Sequence, residues 1–135
     1  MIVVDEQLAD PRIIRGLSNW YKGKVISVIE ARPHTTVPDD AIPELLRQLK
    51  VPTFVTINYH HFWQKVQASS AYCVICVKLP AERSLEIPQL VRTVFSRANW
   101  RTKRGRMGTV ISLRDRRVSY YSTTEPNIRL ISPTE

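Results

Sequence analysis

Glycine is scarce in this chain of 135 residues, with four in all. That scarcity argues against a glycine-rich loop cradling a nucleotide phosphate. No G-x-S-x-G occurs, and no cysteine is paired with a histidine as an activated nucleophile. The two cysteines, Cys73 and Cys76, lie in "YCVICVK". Residues three apart on a strand point to opposite faces, so this C-x-x-C reads as two small buried hydrophobes, not a chelate or redox pair. No apolar run approaches the roughly 18 residues of a membrane span. The opening "MIVVDEQL" is too short and too early charged for a signal peptide. A cytoplasmic protein is the expectation.

What is present suits one globular domain with a sizeable core. The net charge is +8, from 20 Lys and Arg against 12 Asp and Glu. Such a surface favours a polyanionic partner, RNA or an acidic protein, though solubility alone accounts for it equally well.

Hydrophobic periodicity sets the order of elements. "IVVD" at Ile2–Asp5 is an apolar strand ending on an acid. Asp10 and Pro11 form a cap and first turn, after which Ile13, Ile14, Leu17 and Trp20 share one helical face. Lys24–Glu30 reads as a second strand. A helix starting near Asp39 or Asp40 puts Ile42, Leu45, Leu46 and Leu49 on one face and leaves Pro43 in its first turn. "TFVTI" and "YCVICVK" are strands three and four, with a short helix and loop between them. Ile87, Leu90, Val91, Val94 and Phe95 form a further helical stripe. "GTVISLRDRRVSYYST" reads as a hairpin turning at Asp115–Arg116. Strands alternating with helices predict a mostly parallel sheet covered on both faces. Residues 1–122 form the expected single domain and residues 123–135 an expected flexible tail.

In such sheets, sites form at the carboxyl ends of strands near the switch in strand order. Asp5 and Glu6 end strand one. Asn58, with His60 and His61 behind it, follows strand three. Asp39 and Asp40 open the second helix. Carboxylates collected from separate strand ends suit a hard divalent cation such as Mg²⁺. Each residue also has a plain structural reading, since acids at strand ends and helix starts cap turns and complement the helix dipole. A zinc site from His34, His60, His61 and Asp5 is a further arrangement these residues allow.

At these same residues the chain resembles the PIN-like family related to the Mut7-C domain. "IVVDEQLADPRIIRGL" resembles its opening, "VPDDAI" its acidic helix start, "FVTINYHHF" its third strand and turn, and "GTVISLRDRRVSYY" its closing hairpin. The likeness runs in order over about residues 1–122. It implies a three-layer α/β/α PIN-like fold and a Mg²⁺- or Mn²⁺-dependent endoribonuclease. It further implies the toxin of a toxin–antitoxin pair, with a small DNA-binding antitoxin as partner, and it leaves a homodimer open. By position, Asp5 matches the first metal-binding acid and Asp39 or Asp40 the second. Asn58 and His61 stand where the family pattern has its third and fourth acids. Asn58 can still offer a carbonyl oxygen. His61 shifts metal preference from Mg²⁺ towards Mn²⁺ or similar ions, or serves as a base or phosphate contact. The expected catalytic set is therefore Asp5, Asp40, Asn58 and His61, with Glu6 and Asp39 as further metal ligands. The alternative is a catalytically silent PIN-like module that binds RNA or protein.

"RANWRTKRGRMG" supplies the expected RNA contacts: Arg101, Lys103, Arg104 and Arg106 for phosphates, and Trp100 as a base-stacking ring. Arg114, Arg116 and Arg117 follow in the hairpin. The plain reading of this stretch is a solvated helix end.

Overall fold

The computed structural model describes residues 1–131. Its strands are β1 (Ile2–Val4), β2 (Val25–Ser27), β3 (Thr53–Thr56), β4 (Cys73–Val77), β5 (Thr109–Arg114), β6 (Arg117–Ser122) and β7 (Arg129–Ile131). Its α-helices are α1 (Pro11–Ser18), α2 (Val28–Ala31), α3 (Ile42–Arg47), α4 (Tyr59–Phe62), α5 (Ile87–Phe95) and α6 (Lys103–Arg106). Short 3-10 turns include Glu6–Leu8 and Asp39–Ala41.

The strands form one sheet in the order β2-β1-β3-β4-β5-β6-β7. β1 to β5 are parallel, and β6 and β7 add antiparallel. The chain leaves β1 for β2 on one side, then returns across β1 to reach β3 on the other. The strand order therefore reverses between β1 and β3, and the carboxyl ends of those two strands flank the resulting crevice.

Period-two alternation in the buried strands feeds two cores. Ile2, Val4, Ile75 and Ile111 face α1 and α5, whose Ile13, Leu17, Ile87, Val91 and Val94 are buried against them. Val3, Phe54, Val74, Cys76 and Val110 face α3 and α4, which contribute Ile42, Leu45, Leu46, Tyr59 and Phe62. Each fully buried aliphatic side chain contributes about 1.5–3 kcal/mol of transfer free energy. The result is the expected three-layer α/β/α architecture with a mostly parallel sheet and a C-terminal hairpin. Cys73 and Cys76 fall in opposite cores, as their spacing on β4 predicts.

Pro88, in the first turn of α5, explains Gly16 in the middle of α1. A Cβ at Gly16 would stand 2.6 Å from Pro88 Cγ, so glycine permits the close approach of α1 and α5.

Two segments differ from expectation. The second strand stops at Ser27 instead of running on to Glu30. Ser27 Oγ accepts a hydrogen bond from Glu30 N–H and caps α2, so Val28–Ala31 forms a helical turn. The expected tail also contributes structure: Arg129–Ile131 pairs with Val118–Tyr120 as β7, and Ile131 is buried. Residues 132–135 of that tail lie outside the described residues.

Candidate functional site

Asp5 follows β1 directly and is 6 % exposed, so a carboxylate is held inside the crevice mouth. Its Oδ1 accepts a hydrogen bond from Glu6 N–H at 2.8 Å, capping the turn that follows. Its Oδ2 accepts one from Thr56 Oγ1 at 2.6 Å. Thr56 is the last residue of β3, and its Oγ1 in turn accepts from Asn58 N–H at 2.9 Å. The threonine hydroxyl thus ties the ends of β1 and β3 together.

Burial holds the Asp5 carboxyl above its ordinary range. The Thr56 and Glu6 hydrogen bonds oppose that rise, and the neighbouring charges of Asp39 and Glu6 add to it. Removing a carboxylate from water disfavours its charged form, and nearby like charges do the same.

Asn58 occupies the N-cap position of α4, yet its side chain makes no capping bond. Its Nδ2 donates instead to Asp39 Oδ2 at 2.7 Å. His61, one turn on, brings Nδ1 to within 2.8 Å of the same oxygen. One oxygen of Asp39 therefore joins the start of α4 to the turn before α3. Packing fixes α4 from below: Phe62 lies against Phe54 with ring centroids 5.3 Å apart, and the Tyr59 hydroxyl is 2.7 Å from Ser112 Oγ.

Asp5, Asp39, Asn58 and His61 thus share one edge of the sheet, linked through Thr56. Glu6 lies beside Asp5 with its side chain exposed. Asp40 does not join this network, because Asn58 and His61 both turn to Asp39. It lines a neighbouring groove of about 640 Å³ with Asp39, His61, Arg47 and Lys65. Of the two acids open by position, Asp39 is the one at the centre. Periodicity and strand-end acids do not single out Thr56. Its only signal in the sequence is a hydroxyl closing the third strand, two residues before Asn58.

The donor set fits an oxygen-seeking divalent ion of the kind that keeps most of its waters. The Asp39 charge is felt by the Asp5 carboxylate, and Asn58 Oδ1 has no hydrogen-bond partner among the described residues. Mg²⁺ is commonly held by only one or two carboxylates together with substrate phosphates. Among the described residues no three His, Cys, Asp or Glu side chains converge as a chelating group, which also leaves the zinc arrangement with His34 and His60 unassembled.

The basic stretch differs from expectation in two ways. First, Trp100 is buried at 2 % exposure and meets Tyr120 edge to face, so no base can stack on it. Arg106 is buried too: its guanidinium lies 3.9 Å from the Phe95 ring centroid and donates to the carbonyls of Trp100 and Arg101. Both side chains fasten the segment to the core. Arg101, Lys103 and Arg104 remain exposed. Second, α6 leads into the amino end of β5, and the charges of Lys103 and Arg106 are felt by the Met1 amine at the amino end of β1. The stretch therefore lies on the sheet edge opposite Asp5. The basic run that marked Trp100 as an interleaved aromatic carried no information about burial.

No helix among the described residues is long and apolar enough to cross a membrane. No protein-family profile, curated protein or solved structure matches this chain.

Proposed function

We propose that this protein is a metal-dependent endoribonuclease of PIN-like type acting at the β1/β3 crevice. One observation carries the reading: a buried carboxylate, Asp5, is held at the switch in strand order, at a cost that comes first from burial and then from the nearby charges of Asp39 and Glu6, and that a cation would relieve. Asp5, Asp39 and Asn58 Oδ1 would hold a Mg²⁺ or Mn²⁺ ion. That ion, when bound, neutralises phosphate charge and supplies an activated water for in-line attack. Thr56 orients the Asp5 carboxylate, and Asn58 and His61 fix Asp39. The role of toxin beside a small DNA-binding antitoxin rests on the family resemblance alone and belongs to the same proposal.

A second reading, a catalytically silent module that binds RNA or protein, draws on a specific contact. Asn58 and His61 both occupy Asp39 Oδ2, which satisfies from within the protein an oxygen that a metal would otherwise take.

RNA cleavage measured with Mg²⁺ and with Mn²⁺ separates the two. On the nuclease reading the wild type cleaves and Asp5→Asn does not. Equal cleavage by both proteins discards this mechanism. Cleavage only by the Asn58→Asp/His61→Asp protein supports the silent module.

A further inference from the structure

A second cavity opens on the same sheet edge as Asp5, at the carboxyl ends of β4 and β5. It has a volume of about 610 Å³. Leu79, Leu90, Leu113 and Val118 give it an apolar floor. Lys78, Arg83, Arg97, Arg114, Arg116 and Arg117 line it with the acids Glu86 and Asp115, and Arg114 and Arg117 also line the groove on the other face of the sheet beside Ser112 and Ser119. Glu86 is spent on Arg83, whose Nε donates to it at 2.6 Å, and Asp115 Oδ2 is 3.7 Å from Arg114 Nε. Lys78, Arg116 and Arg117 have no hydrogen-bonded or ion-paired side-chain partner among the described residues. Among the described residues the cavity therefore carries more positive than negative side chains over an apolar base.

The β5–β6 turn supplies an independent observation. Asp115 has φ 51° and Arg116 φ 64°, the left-handed pair of a two-residue hairpin. Glycine fits the second of those positions without steric cost. Arginine there holds a sparsely populated conformation, and backbone strain of this kind clusters at functional sites. Arg116 lines the cavity together with Arg114 and Arg117.

We infer that this hairpin cavity is a docking site for single-stranded RNA, with Arg114, Arg116, Arg117 and Lys78 taking backbone phosphates and the apolar floor receiving a base. Arginine forks match phosphate oxygens bidentately, and flat bases pack on apolar surfaces. β3 and β5 are two strand spacings apart, roughly 10 Å. A strand of RNA seated at the hairpin would thus extend along the carboxyl edge towards Asp5 and Asn58. The direction of that path rests on the nuclease reading; the docking site does not.

The test is binding of a fluorescein-labelled oligouridylate, measured in EDTA across a salt series so that cleavage plays no part. The proteins are wild type, Arg116→Gly, and Arg114→Gln/Arg116→Gly/Arg117→Gln. Arg116→Gly relieves the turn, so its melting temperature is expected at or above that of wild type while its RNA affinity falls several-fold. The triple variant is expected to bind at least tenfold more weakly. The slope of log affinity against log salt should shrink by about 0.7 for each phosphate that the variant no longer neutralises. Unchanged affinity and slope in a folded triple variant overturn the inference. So does a wild type that binds labelled polyglutamate but not the RNA, which assigns the cavity to an acidic protein segment. RNA binding that depends on the hairpin, in a protein that cleaves nothing with either metal, upholds the docking site and removes the nuclease reading alone.

Discussion

Thr56 Oγ1 lies 2.6 Å from Asp5 Oδ2, a buried contact between residues 51 apart in sequence. The same oxygen accepts the Asn58 amide N–H, so one hydroxyl serves two strand ends. This side chain ties β1 to β3 as Asp39 Oδ2 ties the start of α4 to the turn before α3.

Thr56→Val keeps the shape of the side chain and removes both hydrogen bonds. An Asp5 oxygen and the Asn58 N–H then lack their partner, at a cost of about 1–3 kcal/mol. Chemical denaturation should show that loss, and Thr56→Ser should recover most of it. Nuclease activity, where present, should follow the same order.

Asp5 itself works against the fold at neutral pH. Its folded-state carboxyl is raised above the ordinary value of 3.8. A raised carboxyl contributes stability that is fully present below the unfolded value and is lost as pH rises through the folded one. Wild type should therefore lose stability relative to Asp5→Asn as pH climbs from about 3.8. Paired melting curves from pH 3 to pH 8, roughly the span over which such carboxyls ionise, would read this. A difference that stays flat across the series counts against it.

Trp100→Ala should cost about 3–5 kcal/mol, the range for emptying an aromatic site in a core. Arg106→Ala should also be clearly destabilising, because it removes a guanidinium packed on Phe95 and bonded to two carbonyls. Lys103→Ala and Arg104→Ala, on exposed positions of α6, should stay within about 0.5 kcal/mol of wild type. Thermal melts of the four proteins separate the fastening residues of this stretch from its solvated ones.

The cysteines should be chemically silent in the folded protein. Burial pushes the Cys73 thiol up to about 12 and raises Cys76 as well. The thiolate is the reactive form, so a thiol reagent at pH 8 should leave both untouched until denaturant is added. Rapid labelling of the native protein would mean that β4 opens locally.

The readable parts of the sequence were those set by local periodicity. The stripes of α1 and α5, the buried strands and the hairpin at Asp115–Arg116 all follow from apolar spacing and turn chemistry. Asp5 was legible because strand ends can be located and a strand-end acid stands out, whereas Asn58 was marked by its place after the third strand and by the family pattern it departs from. The choice of Asp39 over Asp40 was not legible, since it depends on which carboxylate α4 meets after α3 has docked. The burial of Trp100 and Arg106 was hidden for a similar reason. A basic run looks solvated until its neighbours in space, Phe95 and Tyr120, are known. β7 has only three residues and is specified by the edge of β6 more than by its own sequence.

The position of β1 in the sheet also governs how the chain can assemble. β1 precedes the other described strands along the chain, yet it is an interior strand with β2 on one side and β3 on the other. Its second edge stays unpaired until Thr53–Thr56 has been synthesised, about 50 residues later and several seconds at ordinary elongation rates. For that interval the nascent chain carries a bare apolar strand edge, the kind of surface that invites wrong pairing. Asp5 would sit at its end, solvated and charged, until Thr56 arrives. The β1/β3 crevice can therefore close before β4 to β7 have been made, and the sheet grows outward from it in one direction, each later strand adding beyond the last.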